Sequence, residues 1–164
     1  MKFGTSSISL KKRNRTENER RWLGRRIEGV LLILFLLWIP IASSQSVLKI
    51  PLYIHHKEIW VEVAQTPEER AHGLMGRKLL GENEGMLFIF ETEGYHGFWM
   101  KGTFLPLSIA FLNKGGRIVW ITDMEPLSLE SHLPPKPILY TLEMNKGWFK
   151  KNSINVGDVV RFSK

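Results

Sequence analysis

From Val47 onward, apolar positions recur mostly at every second residue, the spacing that puts the side chains of an extended chain on one face. Val47 to Ile54 and Glu58 to Ala64 read as two strands joined at His55-His56-Lys57. In the second, Ile59, Val61 and Val63 share one face and Trp60, Glu62 and Ala64 the other. Met86 to Phe90, Phe98 to Lys101, Leu107 to Asn113, Arg117 to Thr122, Ile138 to Met144 and Asp158 to Phe162 continue the pattern. Each is short, β-branched or aromatic, and bounded by turn formers. Lys114-Gly115-Gly116 predicts a tight hairpin between two of them. About eight strands predict a mainly β domain, a sandwich or small barrel rather than a βαβ arrangement.

One helix interrupts the strands. Thr66-Pro67-Glu68-Glu69 offers an N-cap threonine, a proline at the first helical position and a glutamate three residues after the cap, so cap and glutamate satisfy each other's free amides. The helix is predicted from Pro67 to residues 74–75, with Ala71, Leu74 and Met75 toward the core and Gly73 or Gly76 ending it. A second short turn is expected at Gly147 to Asn152, where Trp148 and Phe149 cover one end of the domain.

Ahead of the strands the pattern changes. Val30 to Ala42 is apolar throughout and is followed by Ser43-Ser44-Gln45-Ser46. As a helix at about 1.5 Å per residue this run reaches about 20 Å, short of a hydrocarbon core of about 30 Å, so it fits a secretory leader better than a full span. Ala42 and Ser44 supply small residues for cleavage after Ser44, whereas the long basic lead-in suits a retained anchor with its arginines in the cytoplasm. The expected organisation is a basic cytoplasmic segment over residues 1–28, a signal peptide or signal anchor over 29–46, and a β domain over 47–164. Either leader delivers that domain to the periplasm or to the extracytoplasmic face of the inner membrane.

Charge sharpens this division. The 164-residue chain carries a net +7, yet nine basic residues against three acids precede Val30, leaving fourteen against thirteen from Val47 onward. A domain that nearly neutral has no dense stripe for phosphate neutralisation, so nucleic acid is not an expected partner. The membrane is, through the N-terminal segment. Zero cysteines exclude disulfides, thiolate metal sites and cysteine nucleophiles.

Several segments together resemble a known family. Val61 to Arg77, Glu84-Gly85-Met86-Leu87-Phe88-Ile89-Phe90, Phe98-Trp99-Met100-Lys101-Gly102-Thr103, Pro106 to Phe111, Gly147-Trp148-Phe149 and Val156-Gly157-Asp158 resemble, in order, the bacterial and archaeal domain of unknown function 192 family, over about residues 52–161. The resemblance implies a jelly-roll-like β-sandwich, often behind a signal peptide or anchor, with no established activity. Two positions depart from the family pattern: Gly102 stands where relatives carry asparagine, and Ser108 where they carry an acid.

The candidate chemistry starts from Phe98 to Thr103. Read as extended, this segment puts Trp99, Lys101 and Thr103 on one face, an indole, an ammonium and a hydroxyl suited to a small anion or a sugar. Arg70, whose planar fork clamps anions, and His96, in the loop before Trp99, complete the candidate ligand site. A bland reading stands beside it, in which Lys101 lies along Trp99 and Arg70 buttresses a loop. No metal-ligand spacing links the five histidines, and no elbow, phosphate loop or dinucleotide fingerprint names a cofactor or nucleophile. The leading expectation is an envelope domain that binds a ligand or acts as an accessory module. Two alternatives differ in class. A hydrolase would bring His96, Asp123 and Glu125 together, and a protein-interaction module would expose an apolar groove around Met75, Met86 and Met100 or the Leu127 to Pro137 loop.

Overall fold

The computed structural model describes residues 48–162. The expected basic segment over residues 1–28 and the expected signal peptide or signal anchor over 29–46 lie outside the described residues. Among the described residues no helix is long and apolar enough to cross a membrane.

Seven strands form: β1 (Lys49–Ile54), β2 (Lys57–Ala64), β3 (Glu84–Gly94), β4 (Leu107–Leu112), β5 (Ile118–Met124), β6 (Ile138–Asn145) and β7 (Val160–Phe162). With two short helices, α1 (Pro67–His72) and α2 (Trp148–Lys151), the domain is mainly β, as the alternation predicts. All seven strands belong to one sheet in the order β5-β4-β6-β3-β2-β1-β7, where two facing sheets of a jelly roll were implied. The sheet curls until its edges meet: Ile118 N–H donates to the Asp158 carbonyl at 2.8 Å and Val160 N–H to the Gly116 carbonyl at 2.9 Å. Curling in this way covers both edges, which otherwise present unpaired amides to other chains.

Both expected hairpins are present. Ile54 pairs with Lys57 across His55-His56. Across Lys114-Gly115-Gly116, the Asn113 side chain accepts from Gly115 and Arg117 N–H groups, and Gly116 sits at φ +71°. One connection departs from the expectation. β2 and β3 are parallel neighbours, so residues 65–83 must carry the chain back to the same end of the sheet. That crossover contains α1, a single βα-type unit inside an otherwise antiparallel sheet.

Burial splits the sheet into two faces. Leu52, Ile59, Val61, Leu87, Ala110 and Leu142 point inward, joined by Trp148 and Phe149 of α2. Met86, Phe88, Ile109 and Phe111 point outward, against a cover made of Leu74, Met100 and Leu105. Because β3, β6 and β4 are dry on both sides, their outward residues are not a solvent face.

Candidate functional site

The cover over the outer face is built from two segments. The first is α1 and the turn after it. Thr66 Oγ1 accepts from Glu69 N–H at 3.2 Å while Glu69 Oε2 accepts from Thr66 N–H at 3.0 Å, the reciprocal cap the sequence predicts. The helix stops at His72, because Gly73 turns to φ +48° while its N–H still reaches the Glu69 carbonyl. No α1 residue is buried. Ala71 is exposed, and Leu74 alone of the three expected core residues is fully inside.

The second segment is Phe98 to Leu105. It does not form the expected strand: after a single bridge from Phe98 to His132, Thr103 N–H closes a turn onto the Met100 carbonyl at 3.0 Å, with Gly102 at φ +66°. Glycine and asparagine are the residues that enter this left-handed region most readily, so the family's asparagine and this chain's Gly102 satisfy one turn. The turn breaks the two-residue alternation. Lys101 projects to solvent with Nζ 5.3 Å over the Trp99 ring, Thr103 is buried, and Trp99 is half-exposed. Gly76 N–H donates to the Gly102 carbonyl at 3.0 Å and ties the two cover segments together.

Between them lies a cleft of about 220 Å³. Arg70, Trp99 and Thr103 line it, so three of the five predicted site residues share one concavity; Lys101 and His96 do not line it. His96 stacks flat on Phe90 at 3.7 Å, its Nε2 3.1 Å from the Thr92 carbonyl, and reaches the site only through that ring. Arg70 Nη1 donates to the Gln65 and Ile89 carbonyls, and its guanidinium lies 5.1 Å from the Phe90 centroid. The buttressing role and the lining role therefore coexist in Arg70. Phe88 and Phe98, edge to face at 5.0 Å, make the apolar wall.

The floor holds a residue the sequence reading did not single out. Glu143 of β6 lines the cleft, is 4% exposed, and has no hydrogen-bond partner among the described residues. Desolvation by burial pushes its carboxyl up to about 8, and no counter-ion pairs with it among the described residues. It sits in register between Met86 of β3 and Ile109 of β4. Two residues earlier on the same face, the buried Thr141 hydroxyl is also without a partner. In the same cross-strand row, beyond Met86, Glu62 of β2 is buried but paired to Arg77. The one signal for Glu143 in the sequence was an acid between Leu142 and Met144, on an alternating face with Thr141 and Asn145 that reads as a solvent face.

The hydrolase expectation loses its geometry. His96 is engaged at Phe90 and Thr92, Asp123 accepts from the Ser108 hydroxyl, and Glu125 pairs with Lys146. Asp123 and Glu125 share the neighbourhood of Lys146, but His96 is held elsewhere, at Phe90 and Thr92. Met86 and Met100 are core residues, which closes the methionine groove, while Leu127, Leu129 and Leu133 are exposed along their loop. Among the described residues no three His, Asp or Glu side chains gather as metal ligands would.

A family model matches residues 51–162, that of DUF192, described as an uncharacterised ACR. No curated protein matches the chain. Two crystal structures resemble it. One is a Sinorhizobium meliloti 1021 protein proposed to be a transcription regulator: it is 31% identical, with a TM-score of 0.66 over 70% of this chain and 92% of that one. The other, a protein of unknown function from Novosphingobium aromaticivorans DSM 12444, is 29% identical, with a TM-score of 0.68 over 74% of this chain and 91% of that one.

Proposed function

The chain belongs to the DUF192 family, and we propose that it is a small-ligand-binding module whose site is the cleft under Arg70, Trp99 and Thr103. The observation that carries this reading is Glu143, a carboxyl buried on the cleft floor with no partner. Buried polar groups are nearly always hydrogen-bonded, and one left open toward a cavity has its hydrogen bond available for a ligand. The aromatic wall supplies the apolar contact, and Thr103 and Arg70 supply further donors. Lys101 and His96 act at the rim and behind Phe90, outside the contact shell.

The apolar run Val30–Ala42 supports placing the domain at the extracytoplasmic face, which protease accessibility of the full-length chain in spheroplasts tests. The regulator description of the Sinorhizobium meliloti protein is not transferred, because fourteen basic against thirteen acidic residues from Val47 onward give no phosphate-binding stripe.

Binding is tested on the full-length chain by titrating tryptophan emission and Tm together against small carboxylates, sugars and peptidoglycan fragments. Trp99→Phe, which removes the reporter and keeps an aromatic ring, should abolish the emission change and leave the Tm shift. A panel that moves neither signal at millimolar concentration overturns the reading.

A further inference from the structure

Resting on the cleft as a binding site, the inventory of its walls narrows the ligand. We infer that the cleft takes a small monocarboxylate with an apolar body, its carboxylate hydrogen-bonded to the buried Glu143 carboxyl and attracted by Arg70.

The walls decide between ligand classes. Phe88, Phe98 and Trp99 offer hydrocarbon, and the polar side chains lining the space are the Glu143 carboxyl, the Thr103 hydroxyl, the Arg70 guanidinium and the His72 imidazole. A sugar needs hydrogen bonds around its whole ring, more than these four side chains supply at once. A phosphate brings up to two charges to a site with one arginine. An amine would need Glu143 ionised while Arg70 stands at the same cleft, and the two cations would repel.

A monocarboxylate meets each feature once. One of its oxygens accepts the Glu143 O–H, the short carboxyl–carboxylate bond in which one proton serves two acids. The other oxygen faces Thr103 or Arg70, and the remainder of the molecule lies on the aromatic wall. About 220 Å³ is the space of about seven waters at about 30 Å³ each, which suits an aromatic or short branched acid and is small for a disaccharide.

The protonation state is set by what surrounds Glu143. Met86 of β3 and Ile109 of β4 flank it in register, and Phe88 and Phe111 are the next pair along the same face, opposite Thr141. The other titratable or charged groups lining the cleft are Arg70 and His72 of α1, and Glu62 lies along the row, held by Arg77; Glu84, Glu91 and Glu93 of β3 and Lys101 of the cover do not line it. No cation pairs with the carboxyl among the described residues, so at neutral pH it keeps its proton and donates.

The experiment is isothermal titration of the full-length chain with benzoate, benzamidine and N-acetylglucosamine from pH 6 to 9.5, with folding followed by circular dichroism at each pH. The inference expects benzoate to bind, with Kd level to about pH 7 and rising more than tenfold by pH 9.5, as Glu143 loses its proton and repels the ligand. Glu143→Gln retains an uncharged donor, so it should bind benzoate within several-fold of wild type and show no such rise. A benzoate Kd that is flat to pH 9.5 in the folded wild type overturns the inference. So does tighter binding of benzamidine or of the sugar, although the cleft then still stands as a ligand site. Silence from all three, together with silence from the wider panel, overturns both.

Discussion

Around β3, β6 and β4 both faces of the sheet are dry, but they treat polar groups differently. On the inward face the one polar side chain, Ser108, is fully employed: its hydroxyl accepts from Gly147 N–H at 2.7 Å and donates to Asp123. On the outward face the Thr141 hydroxyl is enclosed without a partner, and the Glu143 carboxyl, buried but lining the cleft, has none among the described residues. Inward, leaving a polar group open would only destabilise the fold. Outward, the same cost is met beside a cleft where a ligand can make the missing bond. Cooperative packing and chemical availability are thus divided across the thickness of one sheet.

The comparison is broken most severely from the inward side. Leu87→Ala, at a fully buried inward position, should cost about 2–5 kcal/mol and leave ligand affinity unchanged in the folded fraction, as read by urea denaturation. Loss of affinity without loss of stability would mean the two faces are not separate.

The next effect comes from pH. The Glu143 carboxyl titrates near 8 in the fold and near 4.5 as an ordinary glutamate, so the folded state holds one more proton between those values. Stability therefore falls as pH rises from about 5 to 8, by on the order of 1.4 kcal/mol for each unit well inside that interval. The carboxylates held below their usual range, Glu69, Glu84 and Asp158, act in the opposite sense and only at lower pH. Glu143→Gln should abolish the decline, and a wild-type urea midpoint that is constant from pH 5 to 8 would contradict it.

Smaller changes sharpen the contrast within the outward face. Arg77→Ala strips the buried Glu62 of its partner and should cost about 1–3 kcal/mol, discounted because Arg77 itself is partly exposed. Thr66→Ala removes half of the α1 cap at a cost of about 1 kcal/mol and loosens one wall of the cleft, so Kd should weaken together with Tm. Least of all, Lys101→Ala loses an exposed contact with Trp99, worth less than about 1 kcal/mol, and should leave Kd within twofold.

Much of the fold was legible in the sequence, and the reason is local. Seven of eight expected strands form where period-two alternation marks them, and the His55-His56 and Lys114-Gly115-Gly116 turns fix two hairpins by chemistry within a few residues. The miss at Phe98 to Lys101 has a local cause as well: Gly102 turns the chain, so Trp99, Lys101 and Thr103 never share a strand face. The site was half legible. Arg70, Trp99 and Thr103 stand together at the cleft, but Glu143 was passed over, because alternation in β6 assigns an acid between two apolar residues to a wet face.

By itself the sequence determined which segments extend, where they turn and how α1 is capped, all consequences of steric preference and short-range hydrogen bonding. It also confined the excess positive charge to the residues before Val30. Tertiary structure alone decided that β2 and β3 run parallel, that the sheet curls edge to edge, and that the outward face of β6 lies beneath a lid from residues 73–76 and 98–105. Burial is a property of what lands on a residue from elsewhere in the chain, and that is what turns Glu143 from a surface acid into the floor of a cleft.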